Sequence, residues 1–130
     1  MIRYPKILII DDEPWWPAFC QKVLTKHGFN IVITPDKEEG LRLLDENQYD
    51  LVMLDLLKRE DDGFSTLRDI LKKHPNEKVI MVSAIDFWKD ARDAYRYGAK
   101  DFLDKSFDKK RLFETVKYIL KMKDKKAVER

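Results

Sequence analysis

The chain has one cysteine, Cys20, so it can form no internal disulfide, which fits a reducing cytoplasm. Helical spacing places Cys20 beside Phe19 in a helix, where a buried, inert thiol is expected. An excess of one charge is also lacking. Lys+Arg number 26 against Asp+Glu 24, a net charge of +2, which gives no electrostatic case for direct nucleic-acid binding. No apolar run approaches the ~20 residues that a membrane span needs, and no signal peptide precedes the first apolar run. The expectation is a cytoplasmic protein without membrane contact. Linkers, repeats and low-complexity stretches are lacking too. At 130 residues the chain reads as one domain, large enough to bury roughly 70% of its unfolded surface without a staple.

What is present is a set of short apolar runs alternating with helix-period segments. Strands are predicted at 6–10, 30–34, 50–55, 78–83 and 100–103, and helices at about 14–27, 36–47, 64–74, 87–97 and 108–120. Gly28 and Gly98 sit where helices end, Pro75 stops a third helix, and Asp36 and Asp108 stand at N-cap positions. Five βα units with right-handed crossovers give an α/β, doubly wound (βα)5 sandwich around a parallel sheet. The pattern alone leaves the strand order open. The domain is expected over residues 1–122, and the lysine-rich stretch 123–130 reads as a charged helix end or a linker to an output domain.

Polar residues gather at the carboxyl ends of these strands. Asp11 and Asp12 follow Ile7-Leu8-Ile9-Ile10; Asp55 ends Leu51-Val52-Met53-Leu54; Ser83 follows Val79-Ile80-Met81-Val82; Lys105 lies just past Phe102-Leu103. Ligands of such sheets bind at the carboxyl ends of the strands, where the strand order switches. Asp11 and Asp12 cannot both enter the core, because burying two unpaired carboxylates is too costly. A bound cation removes that difficulty, and hard oxygen donors select Mg2+ or Mn2+. A carboxylate beside such an ion can serve as ligand, base or nucleophile. Attack on phosphorus gives an aspartyl phosphate, with the developing charge shared among the cation, Lys105 and Ser83.

These motifs resemble response-regulator receiver domains. The resemblance rests on Ile7-Leu8-Ile9-Ile10-Asp11-Asp12-Glu13-Pro14, Asp50-Leu51-Val52-Met53-Leu54-Asp55, Gly63, Val82-Ser83-Ala84 and Gly98-Ala99-Lys100-Asp101-Phe102-Leu103-Asp104-Lys105. It implies a flavodoxin-like fold with strand order 2-1-3-4-5. It implies a Mg-dependent phosphorelay switch that accepts a phosphoryl group on Asp55 from a sensor histidine kinase or phosphotransfer protein. Asp11, Asp12, Asp55 and the backbone carbonyl of Leu57 are the implied metal ligands. Lys105 is the implied phosphate partner, Ser83 the switch hydroxyl and Phe102 the switch aromatic. A homodimer or effector is expected to use the face of helix 4, strand 5 and helix 5.

The chain departs from the family at Ser106, where proline usually follows the lysine. A cis bond before a non-proline residue costs ~2.5–4 kcal/mol, so a trans Lys105–Ser106 bond is expected. Lys58-Arg59 replaces Met-Pro and makes the loop after Asp55 charged and mobile. Leu57 and Ile85 flank the phosphorylation position without a group to orient an attacking water, which predicts a long-lived aspartyl phosphate. His27 and His74 are expected near helix C-termini, where the dipole suits them, and not as phosphodonors. Trp15 and Trp16 read either as packing or as a docking rim, and Trp88, Tyr95 and Tyr97 either as core or as output surface. The rival readings are a degenerate receiver acting as a phosphorylation-independent interaction module, and an aspartyl-nucleophile phosphatase. The phosphatase class places an acid two residues after the nucleophile, where this chain has Leu57.

Overall fold

In the computed structural model the described residues are 4–55, 57, 58, 61–83, 88–105 and 108–121. The elements run β1 (Lys6–Ile10), α1 (Trp15–Thr25), β2 (Asn30–Thr34), α2 (Lys37–Glu46), β3 (Leu51–Asp55), β4 (Leu57–Lys58), β5 (Asp61–Asp62), α3 (Gly63–Lys73), β6 (Val79–Ser83), α4 (Trp88–Arg96), β7 (Asp101–Asp104) and α5 (Lys109–Ile119). Five parallel strands form one sheet in the order β2-β1-β3-β6-β7. Counting only these strands, the order is 2-1-3-4-5, with helices on both faces. Around the predicted polar loop at 58–62, the described residues form a short antiparallel ribbon in which Leu57 pairs with Asp62 and Lys58 with Asp61, and residues 59 and 60 lie outside the described residues. A run this short carries no periodicity that a sequence could reveal.

Period-two alternation divides the central strands between two cores. Ile7, Ile9, Met53, Ile80, Val82 and Leu103 pack under α1 and α5, against Trp16, Cys20, Leu24, Leu112 and Val116. Leu8, Ile10, Val52, Leu54, Val79 and Met81 face the other way, against Leu44, Leu67, Ile70 and Ala94. β3 and β6 are buried along their whole length, which is why they read as continuous apolar runs.

The helix boundaries follow local chemistry. Asp36 accepts from the Glu39 amide at 3.3 Å, and Asp108 accepts from the Arg111 amide at 2.9 Å. Each cap satisfies an amide that the first helical turn leaves orphaned. Gly28 and Gly98 adopt φ of +90° and +103°, the left-handed conformation expected after a helix. Gly40 was not singled out by sequence. Its role is clearance: a Cβ there would lie 2.6 Å from Cδ1 of Ile10.

The two histidines sit just beyond their helices, and contacts other than the dipole hold them. His27 stacks on Phe113 at a centroid distance of 3.7 Å, and His74 contacts Asp45 at 3.0 Å. The adjacent tryptophans divide. Trp16 is fully buried, with no hydrogen-bond partner for Nε1 among the described residues, and Trp15 is 53% exposed. Cys20 is buried as expected, and burial pushes its thiol well above the usual range. The Trp88 side chain, Ile85, the Lys105–Ser106 bond, Arg59 and the tail at 123–130 lie outside the described residues.

Candidate functional site

Asp11, Asp55, Ser83 and Lys105 come together because parallel pairing aligns the ends of adjacent strands. Ile10 pairs with Leu54, Asp55 with Val82, and Ser83 with Asp104. Chain direction at the end of β1 is fixed by the Asp11 amide, which donates to the Thr34 carbonyl at 3.0 Å. The turn is closed by Asp11 Oδ1, which accepts from the Glu13 amide at 2.8 Å. Lys105 is anchored by its own amide, which donates to the Ser83 carbonyl at 2.8 Å. Ser83 and Lys105 therefore share one rigid backbone link.

Carboxylate oxygens of Asp11, Asp12 and Asp55 all lie within 4.8 Å of one another. Asp11 and Asp55 are buried and Asp12 is exposed at the rim. Lys105 Nζ stands 2.9 Å from Asp11 Oδ2, 2.9 Å from Glu13 Oε2 and 3.6 Å from Asp55 Oδ1. Its contact with Asp11 is an ion pair without hydrogen-bond alignment, since Asp11 Oδ2 is buried with no hydrogen-bond donor among the described residues. Burial dominates the Asp11 carboxyl and raises its pKa despite Lys105 beside it. For Lys105, burial pulls the pKa down, but the ion pair with Asp11 and the hydrogen bond to Glu13 outweigh it, and the net shift is upward.

These features fit a divalent cation. Three hard oxygen donors converge, one of them a buried Asp11 oxygen that has an ion pair to Lys105 but no hydrogen-bond donor among the described residues, and a cation would further offset its desolvation. Leu57 lies two residues past Asp55, its backbone held by pairing with Asp62. Phe102 is half-buried, pairs in register with Met81 and packs on the core beneath α3 and α4.

Glu13 is the residue that sequence reasoning left without a role. Its hydrogen bond from Lys105 at 2.9 Å spans 92 positions and pulls the Glu13 carboxyl below its usual range. The signal was its place beside Asp11 and Asp12; the contact itself exists only in three dimensions. A separate cleft of about 710 Å3, lined by segments 44–50 and 73–77, opens at the amino ends of the strands. It lies away from the converging carboxylates, and its Asp45 is already paired with Lys73 and His74.

The fold and this arrangement define a receiver domain, and the chain belongs to that family: the response regulator receiver domain model matches residues 7–117. Receiver domains are the phosphoacceptor modules of two-component response regulators. The chain is 34% identical over 112 residues to chemotaxis protein CheY of Listeria monocytogenes, covering 85% of this chain and 94% of that protein. It is 32% identical over 116 residues to the transcriptional regulatory protein CpxR of Klebsiella pneumoniae, covering 89% of this chain and 49% of CpxR. It thus spans about half the length of the CpxR relatives and nearly all of CheY. Among solved structures, a response regulator from Thermotoga maritima superposes with a TM-score of 0.86 at 26% identity, covering 92% of this chain and 99% of that one. The receiver domain of Francisella response regulator 1452 gives a TM-score of 0.82 at 29% identity, covering 90% and 97%. Among the described residues no helix is long and apolar enough to cross a membrane.

Proposed function

We propose that this chain is a phosphorylation-activated switch that takes a phosphoryl group onto Asp55 from a histidine kinase or phosphotransfer protein. The observation that carries the reading is the convergence of Asp11, Asp12 and Asp55 beside a buried lysine. An Asp55 carboxylate oxygen attacks phosphorus as the bond from phosphorus to the donor nitrogen breaks, and the bonding pair leaves with the imidazole. Asp11, Asp12, Asp55 and the Leu57 carbonyl would hold Mg2+ or Mn2+, which supplies charge neutralisation for the transferring group. Lys105 offers its ammonium to one phosphoryl oxygen, and Ser83 its hydroxyl to another. Movement of Ser83 toward that oxygen opens space for Phe102 to turn inward, shifting an existing equilibrium between two conformations.

The chain promotes its own phosphotransfer and slow dephosphorylation. The receiver unit extends to about residue 122, with 123–130 as a charged tail, and the protein acts in the cytoplasm. Its output surface is the α4–β7–α5 face, where Tyr95 and Tyr118 are 52% and 79% exposed, and a second copy or an effector would dock there. No direct contact with nucleic acid or membrane is part of this reading.

The test follows tryptophan fluorescence during a Mg2+ titration, then on addition of acetyl phosphate or beryllofluoride, with Asp55→Asn as control. A Mg2+ response followed by a second, Asp55-dependent change supports the switch. A Mg2+ response alone, with intact mass showing no phosphorylation, replaces it with a phosphorylation-independent interaction module. No response to either overturns the metal site as well.

A further inference from the structure

Lys105 has three acidic neighbours, and the proposed chemistry uses only two of them. The third, Glu13, comes from the turn leading into α1, with its backbone fixed by the Asp11 side chain at 2.8 Å. Its carboxylate is 37% exposed at the rim, yet it reaches the ammonium of a lysine side chain that is only 4% exposed. An ammonium has three donors. Here Nζ lies 2.9 Å from Asp11 and Glu13 and 3.6 Å from Asp55, beyond good hydrogen-bond range for the residue that would carry the phosphoryl group. The resting lysine is thus drawn toward Glu13 and off Asp55.

A carboxylate in that place acts with opposite sign on the two ligands of the site. It adds negative charge that attracts a divalent cation. It repels an incoming phosphoryl group and competes with that group for the same ammonium. We infer that Glu13 is a positioning residue whose carboxylate holds Lys105 away from Asp55 at rest, favouring Mg2+ and opposing the phosphoryl anion until it releases the lysine.

This inference rests on the proposed phospho-switch, and the experiment separates the two. Isothermal titration calorimetry on the whole chain measures Mg2+ affinity, then beryllofluoride affinity at saturating Mg2+, for wild type, Glu13→Gln and Glu13→Asp. Glutamine keeps an acceptor for Lys105 but removes the charge. The expected result is a Mg2+ affinity about 2- to 5-fold weaker and a beryllofluoride affinity tighter by a similar factor, the range for a partly exposed charge. Glu13→Asp moves both values back toward wild type. A merely structural role would move both affinities in the same direction, and that result, or no change in either, overturns the inference. A wild-type protein that takes up no beryllofluoride in an Asp55-dependent way removes the phospho-switch and this inference together. Wild-type uptake with an unmoved Glu13→Gln removes the inference alone.

Discussion

Replacing Lys105 with methionine keeps the length and packing of the side chain and deletes its charge, which isolates the electrostatics of the site. At an effective dielectric of about 20, the gross attraction of Nζ is ~6 kcal/mol to Asp11 at 2.9 Å and ~5 kcal/mol to Asp55 at 3.6 Å. The two carboxylates, within 4.8 Å, repel by at least ~3 kcal/mol on the same scale. Methionine also avoids the several kcal/mol needed to desolvate the ammonium. The net expectation is the loss seen when one partner of a buried ion pair is removed, about 3–5 kcal/mol in EDTA near neutral pH. In a chain of this size that lowers Tm by roughly 10–20 °C.

The loss should be rescued in two ways. Saturating Mg2+ restores a positive charge among the same carboxylates and stabilises by mass action. Acid does so by protonating Asp11. A carboxyl whose folded pKa is raised binds its proton more tightly in the native state, so its contribution is full below the ordinary value of 3.8 and is lost as pH rises through the raised folded value. On acidification the rescue therefore sets in as pH falls through that higher value and is complete below 3.8. Thermal and urea melts in EDTA, in Mg2+ and across this pH range measure all three. A Lys105→Met protein as stable as wild type in EDTA refutes the electrostatic account, and so does a loss that neither Mg2+ nor acid relieves.

Three further outcomes are expected. Trp16→Phe should change stability by no more than about 1 kcal/mol in a urea melt, because relief of the orphaned buried N–H, ~1–3 kcal/mol, offsets the packing lost with the smaller ring. Trp16→Ala should lose about 3–5 kcal/mol, and a Phe variant nearly as damaged would show that Nε1 is satisfied. Gly40→Ala should lose about 1 kcal/mol by the same assay, since its Cβ meets a fully buried Ile10 at 2.6 Å and overpacking outweighs alanine's better helix propensity; a gain would mean that β1 and α2 separate freely. Finally, the aspartyl phosphate on Asp55 should persist well beyond seconds, since Leu57 offers no hydrogen bond to an attacking water. Mass spectrometry after donor removal reads its decay, and a half-life of seconds contradicts the argument.

The sequence by itself determined the local structure and the types of residue at the strand ends. Apolar runs of five residues, an aspartate at each of two N-caps and glycine after two helices depend on near neighbours, and each appears where local chemistry places it. It also put the carboxylates, the serine and the lysine at carboxyl ends, because the parallel pattern allows no other reading of those runs. From the runs alone, the strand order stayed open, since it depends on pairing between distant segments; the family motifs supplied it, and the paired register bears it out. Tertiary structure alone decided how adjacent residues of one kind divide. Trp15 and Trp16 are both apolar and consecutive, yet helix rotation buries one and exposes the other. It likewise decided that Glu13 meets Lys105 across 92 positions, and that Gly40 must clear Ile10. Such contacts are set by the distance between packed elements, which no local pattern encodes.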